Sequence, residues 1–142
     1  LAQERKLVAT AKKIGLFAAG IATQKYMQAI QDQQEIMGAI ANMVIETYAM
    51  ESAVLRAQKL VARNGEAGAA LAVAMTRVYT SGAIEKIESA ARLVIAACAE
   101  GDMLRSQLAI LRRMCKYEPF NTLSLRRIIA QRVIEMGRYM VA

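Results

Sequence analysis

Carboxylates are the residues of this chain best spaced for chemistry. Glu85 and Glu88 stand three apart, and Glu46 and Glu51 fall on a stretch expected near the middle of the molecule. Helical bundles can hold two metal ions between such carboxylates and Glu-x-x-His pairs. The 142 residues contain no histidine, however, so the commonest general base and transition-metal ligand is missing. Lys86, Arg92 and Arg56 are the helical partners of these carboxylates. Ordinary surface ion pairing is therefore the expected role, with no bound metal.

The remaining candidates are equally bland. Cys98 and Cys115 are far apart, lack a CxxC spacing and sit in apolar pattern. They are expected to act as small buried hydrophobes in a reducing compartment. There is no glycine-rich phosphate loop after a strand, no nucleophile elbow and no Cys/His pair. Tyr26, Tyr48, Tyr79, Tyr117 and Tyr139 suit bundle edges, where the hydroxyl finds water, and the nine methionines suit core filling. No catalytic or cofactor-binding residue is expected in this stretch.

Charge is the more suggestive feature. Lys and Arg outnumber Asp and Glu by 19 to 12, and residues 101–142 hold eight of the basic residues against Asp102, Glu118 and Glu135. Arg112, Arg113, Lys116, Arg126, Arg127 and Arg138 form the candidate surface for an anionic membrane or a partner protein. Nucleic acid is not expected, since no recognition motif or aromatic-interleaved basic run occurs.

The elements that would carry these residues are helices. With 56% hydrophobic residues and a single proline, the expected fold is all-α, an antiparallel bundle of three long helices and two shorter C-terminal ones, with 1–142 as one domain. The longest uncharged run, residues 14–24, is too short for a membrane span, and no signal peptide is evident. Because helical pattern is already present at Leu1, the chain is expected to be a piece of a longer polypeptide.

In the first helix Leu7, Val8, Ala11, Ile14, Ala18, Ile21, Ala22 and Ile30 make the inward stripe. Gly15 and Gly20 are expected to let a neighbouring helix approach closely. Asp32 with Glu35 has the spacing of a capping box. Residues 32–63, with Ile36, Ile40, Met43, Val44, Met50, Val54 and Val61 inward, are expected to be the helix around which the rest folds, ending at Asn64-Gly65.

A third helix carries Leu71, Met75, Val78, Ile84, Ile87, Ala91, Val94, Ile95 and Cys98, with a bend expected at Gly82. Glu100-Gly101-Asp102 reads as a stop followed by a new cap, after which Leu104, Leu108, Leu111, Met114 and Cys115 face inward. Pro119 ends that helix, and Asn121 or Thr122 caps the last one. Its stripe is Leu125, Ile128, Ile129, Val133, Met136 and Met140, with Arg132 close by, its stem packing and its head reaching water or a carboxylate.

The segment DQQEIMGAIANMVIETYAMESAVLRAQKL, then YTSGAIEKIESAARLVIAACAEGDMLR and LAILRRMCKYEPFNTLSLRRIIAQRVIEMGRY, resembles the C-terminal extension of acyl-CoA dehydrogenases of the very-long-chain type, bacterial members above all. The resemblance spans nearly the whole chain and rests on packing and capping residues. It implies a noncatalytic accessory domain that follows the dehydrogenase core of a flavoprotein. In such a parent a core glutamate takes the α-proton of an acyl-CoA, FAD takes the hydride, and an electron-transfer flavoprotein reoxidises the flavin. None of those parts maps to a residue here, so FAD is implied for the parent and not for this stretch. The implied partners are the core of the same polypeptide, further copies in a homo-oligomer, and a peripheral membrane contact. The implied location is the cytoplasm, or the inner face of its membrane, and the mitochondrial matrix in a eukaryote.

Overall fold

Leu7, Val8, Ala11, Ile14, Ala18, Ile21 and Ala22 are all buried along one continuous helix, α1 (Ala2–Tyr26), in the computed structural model of the chain, which describes residues 1–139. The glycines play a different part from the one expected. A Cβ built on Gly15 or Gly20 meets nothing within 4 Å, so neither is needed for close approach. Ala11, Ala18 and Ala22, fully buried, make the tight contacts instead. The helix ends at Met27, whose φ of 49° is unusual for a residue with a side chain. A 3-10 turn, Met27–Asp32, then reverses the chain and leaves Ile30 half-buried against the core.

No capping box forms at the next helix, α2 (Gln34–Gly68). Asp32 closes the 3-10 turn, and the N-cap is Gln33, without a side-chain bond. A residue held within a turn lacks the extended backbone from which a carboxylate caps. Ile36, Met43, Thr47, Met50, Val54, Ala57 and Leu60 are buried, while Ile40 and Val61 are only half-buried. Val44 is 61% exposed, against expectation. It lies one position round the helix from Met43, over the shallow groove whose α1 side includes the small residues Gly15 and Ala19. Gly65, at φ 73° and ψ 173°, breaks the helix where the Asn-Gly pair placed a stop, and a short helical turn follows it.

The chain returns as α3 (Ala70–Cys98), antiparallel to α2: Thr76 Oγ1 donates to the Ala53 carbonyl at 3.4 Å and Lys86 Nζ to Glu46 at 2.7 Å. This helix, not α2, is the centre, and every other helix packs on it. Its composition explains why. Ala72, Ala74, Thr76, Thr80, Ser81, Ala83 and Ala91 are buried beside Ile84, Ile87, Val94, Ile95 and Cys98, and small side chains let neighbours close in from several directions. Leu71, Met75 and Val78, expected inside, are half-buried, because the small residues between them take the inner positions. Two buried hydroxyls are satisfied by the preceding turn, Thr76 by Ala72 at 2.8 Å and Thr80 by Arg77 at 3.2 Å, whereas the buried Ser81 hydroxyl has no partner among the described residues. The helix passes through Gly82 without a non-helical residue, so it is not broken there.

Gly101, at φ 56°, turns the chain into α4 (Gly101–Met114). The N-cap is Glu100 rather than Asp102, which lies in the first turn and pairs with Arg105 at 3.2 Å. Leu111 is buried, and Leu104, Leu108, Met114 and Cys115 pack half-buried against the core. After Pro119, Asn121 caps α5 (Thr122–Met136) by accepting from the Ser124 amide at 3.1 Å. This helix packs on α3 alone and buries no residue fully. Leu125, Ile129, Val133 and Met136 are half-buried. Ile128, expected inward, is 54% exposed because no further helix covers its side of α5. Met140 lies outside the described residues. The result is an antiparallel bundle of three long helices, with 25, 35 and 29 residues, and two short ones with 14 and 15. No strand occurs among the described residues.

Candidate functional site

Of the four candidate carboxylates, Glu46, Glu51 and Glu88 are each tied to a cation, while Glu85 is exposed and makes no ion pair among the described residues. Glu46 of α2 accepts from Lys86 at 2.7 Å and from the Tyr79 hydroxyl at 2.9 Å, both on α3. The Lys86 hydrogen bond holds the Glu46 carboxyl below its ordinary range despite burial, and burial beside that carboxylate pushes the Tyr79 hydroxyl up. Glu88 pairs with Arg92 at 2.7 Å within α3, and Glu51 with Lys12 at 2.7 Å across α1 and α2. The Glu46 and Glu51 pairs clamp neighbouring helices together, and the Glu88 pair braces α3 alone. Among the described residues no three His, Cys, Asp or Glu side chains gather as metal ligands would.

A further pair was not visible in the sequence. Glu4 of α1, only 1% exposed, accepts from Arg77 Nε at 2.7 Å. The guanidinium lies 5.5 Å over the Phe120 ring, so one arginine joins α1, α3 and the segment before α5. Burial pushes the Glu4 carboxyl up, but the hydrogen bond and charge of Arg77 outweigh it and hold the group below its ordinary value.

The cysteines are free, Cys98 buried and Cys115 half-buried. Burial beside Glu88 pushes the Cys115 thiol up to about 12, which leaves it protonated and unreactive at neutral pH. Of the tyrosines, Tyr48 and Tyr139 are exposed at 73% and 72%. Tyr26 reaches only the Ala97 carbonyl, at 3.5 Å.

The basic candidates are all on the surface. Arg112 and Arg113 are exposed on α4, Lys116 follows it, Arg126 and Arg127 are exposed on α5, and Arg138 lies just past its end. They do not form one cluster, since α4 and α5 make no contact with each other. Arg132 places its head 3.7 Å from Glu135. On α5 the arginines stand beside two large apolar side chains in water, Leu123 at 70% and Ile134 at 74% exposed.

A second surface went unread in the sequence. Leu16 of α1 and Met37, Val44, Tyr48 and Leu55 of α2 are 75%, 44%, 61%, 73% and 52% exposed. Leu16, Val44 and Tyr48 border a shallow, largely apolar groove of about 410 Å³ floored by Gly15, Ala19 and Ile40, and Met37 and Leu55 continue the same stripe of α2 beyond it. The signal was available, because positions 37, 44, 48 and 55 recur at helical spacing on a face of α2 adjoining the buried one. A larger cleft of about 620 Å³ separates the start of α1 from α5, with Arg5, Gln58, Glu66 and Arg77 among mostly apolar walls. Among the described residues no helix is long and apolar enough to cross a membrane.

Known proteins share this arrangement. The family model for the acyl-CoA dehydrogenase C-terminal domain matches residues 10–113. A probable acyl-CoA dehydrogenase of Bacillus subtilis (strain 168) is 43% identical over 141 residues, 99% of this chain and 24% of that protein. The crystal structure of an acyl-CoA dehydrogenase complexed with FAD from Bacillus anthracis superposes with a TM-score of 0.97 at 42% identity, over 99% of this chain and 24% of that one. The chain thus spans about a quarter of the length of the relatives it matches.

Proposed function

The chain belongs to the acyl-CoA dehydrogenase C-terminal domain family, and from that premise we propose that residues 1–142 act as one noncatalytic accessory domain of an FAD-dependent acyl-CoA dehydrogenase of fatty-acid oxidation. Its work is mechanical: it packs on the catalytic core of the same polypeptide, shapes a homo-oligomer, and sits in the cytoplasm. The observation that carries this reading is the superposition of 99% of the chain on a quarter of a dehydrogenase that holds FAD.

The residues present do not fit the flavin themselves. The clefts are walled by helices whose amides are engaged in their own ladders; the one beside α5 has only Arg5, Gln58, Glu66 and Arg77 as polar side chains, and one between α2 and α3 only Asn42, Glu46, Lys86 and Ser89. A flavin's ring carbonyls and pyrophosphate need a row of free donors. The FAD of the proposed parent is therefore assigned to the part of it that this chain does not span. Purified alone, the chain is expected to be colourless and without acyl-CoA dehydrogenase turnover. One FAD bound per chain, with turnover, would overturn the noncatalytic role.

A second reading has its own observation. On α5, Leu123 and Ile134 are exposed beside Arg126 and Arg127, the pairing of apolar and cationic side chains that seats a helix on an anionic membrane. In that reading Arg112, Arg113, Lys116 and Arg138 add longer-range attraction.

A further inference from the structure

We infer that the outer face of α1 and α2, carrying Leu16, Met37, Val44, Tyr48 and Leu55, is the surface on which the catalytic core of the same polypeptide sits. The inference rests on the accessory-domain reading and says which side of the bundle that reading uses.

Three observations single out this face. It concentrates large apolar side chains, from 44% to 75% exposed, along one stripe of α2 and beside a groove where α1 presents Gly15 and Ala19 next to Leu16. Monomers seldom leave such a cluster in water, and partner surfaces are built around one. In the groove itself the two charged side chains, Lys12 and Glu51, pair with each other at 2.7 Å. A groove whose own charges are paired suits a protein surface better than an anionic membrane. Finally, the whole face lies inside residues 10–113, the part that the family model matches, whereas α5 lies beyond it. Relatives four times as long as this chain carry their remaining three quarters in the same polypeptide, so an occupant is always at hand.

Gly15 and Ala19 set the depth of the groove. With nothing within 4 Å of a Cβ at Gly15, the open space above it is wide enough to receive an apolar side chain from the core. Val44 and Tyr48 would wall that side chain on one side and Leu16 on the other.

The test uses the Bacillus subtilis relative with its matching 141 residues replaced by this chain, probed by hydroxyl-radical footprinting. The molecule carries its own scale: Met43 and Met50 are buried at 1% and 0%, while Met103 and Tyr139 are exposed at 61% and 72%. The expected result is loss of oxidation at Met37 and Tyr48 down to the rate of Met43 and Met50, with Met103 and Tyr139 still fast. Met37 and Tyr48 oxidised as fast as Met103 would overturn the inference. So would protection that fades on dilution, which would mean a second copy is the occupant. Protection found instead at Met103, Leu123 or Ile134 would sink this face and leave the accessory role standing. No protection anywhere on the surface of the chain would sink the accessory role as well. Leu16→Lys with Val44→Lys, at positions already in water in this structure, is expected to restore fast oxidation of Met37 and Tyr48.

Discussion

Arg77 is the side chain whose loss the bundle should feel most at the polar level. It takes the hydrogen-bonding guanidinium from Glu4, which is 1% exposed and keeps only the Leu1 ammonium at 3.8 Å, and removes the cation over Phe120. Breaking a fully buried pair costs about 3–5 kcal/mol; Arg77 is itself 40% exposed, so Arg77→Ala is expected to cost roughly 2 kcal/mol, read from thermal or urea melts. Since Glu4 is held below its ordinary value of 4.5, the stability it contributes is present above that value. It is lost as pH falls through the lower folded value. Glu4→Gln should therefore flatten the acid limb of stability against pH, and an unchanged limb would show that Glu4 is not paired in solution. The sequence could not have revealed this contact, because its partners stand 73 residues apart and only the side-by-side packing of α1 and α3 brings them together.

At the level of the element, the end of α1 and its glycines give opposite expectations. Met27 holds φ 49° and ψ −121° while 73% exposed, so its side chain contributes little and its backbone is strained. Met27→Gly should stabilise by about 1 kcal/mol. Gly20 sits inside α1, exposed and with nothing within 4 Å of a Cβ, and Gly20→Ala should also stabilise, by about 0.5–1 kcal/mol. Chemical melts of the two variants check both signs. The stripe of α1, the stop at Gly65 and the cap at Asn121 were legible because each depends on a few neighbouring residues. The Asp32 capping box failed for a reason equally local but conformational, since the 3-10 turn took that residue first.

At the level of the whole molecule, the bundle has two unlike surfaces. One is the apolar face of α1 and α2. The other is the exposed side of α5, where Arg126 and Arg127 stand beside Leu123 and Ile134, on a chain of formal net charge +7. Each arginine near an anionic bilayer contributes about 1 kcal/mol, so if that side seats on lipid, Arg126→Ala with Arg127→Ala should weaken liposome binding by at least about tenfold. Flotation with anionic vesicles should also fall as salt rises. Equal recovery with neutral and anionic vesicles would dismiss the membrane reading and leave the docking face on α1 and α2 untouched.

By itself the sequence determined that the protein is helical, where its helices run, and most of the positions that point inward along α1 and the later part of α3. Those follow from periodicity, and periodicity is set by residues a turn or two apart. Which helix becomes the centre was decided only in three dimensions. The bulkier stripe of residues 32–63 made α2 look central, yet α3 is surrounded because its alanines, threonines and serine leave room on several sides at once. The fates of Val44 and Ile128 were decided in the same way. An apolar side chain is buried only where another element arrives to cover it, and that arrival depends on contacts between residues far apart in the chain.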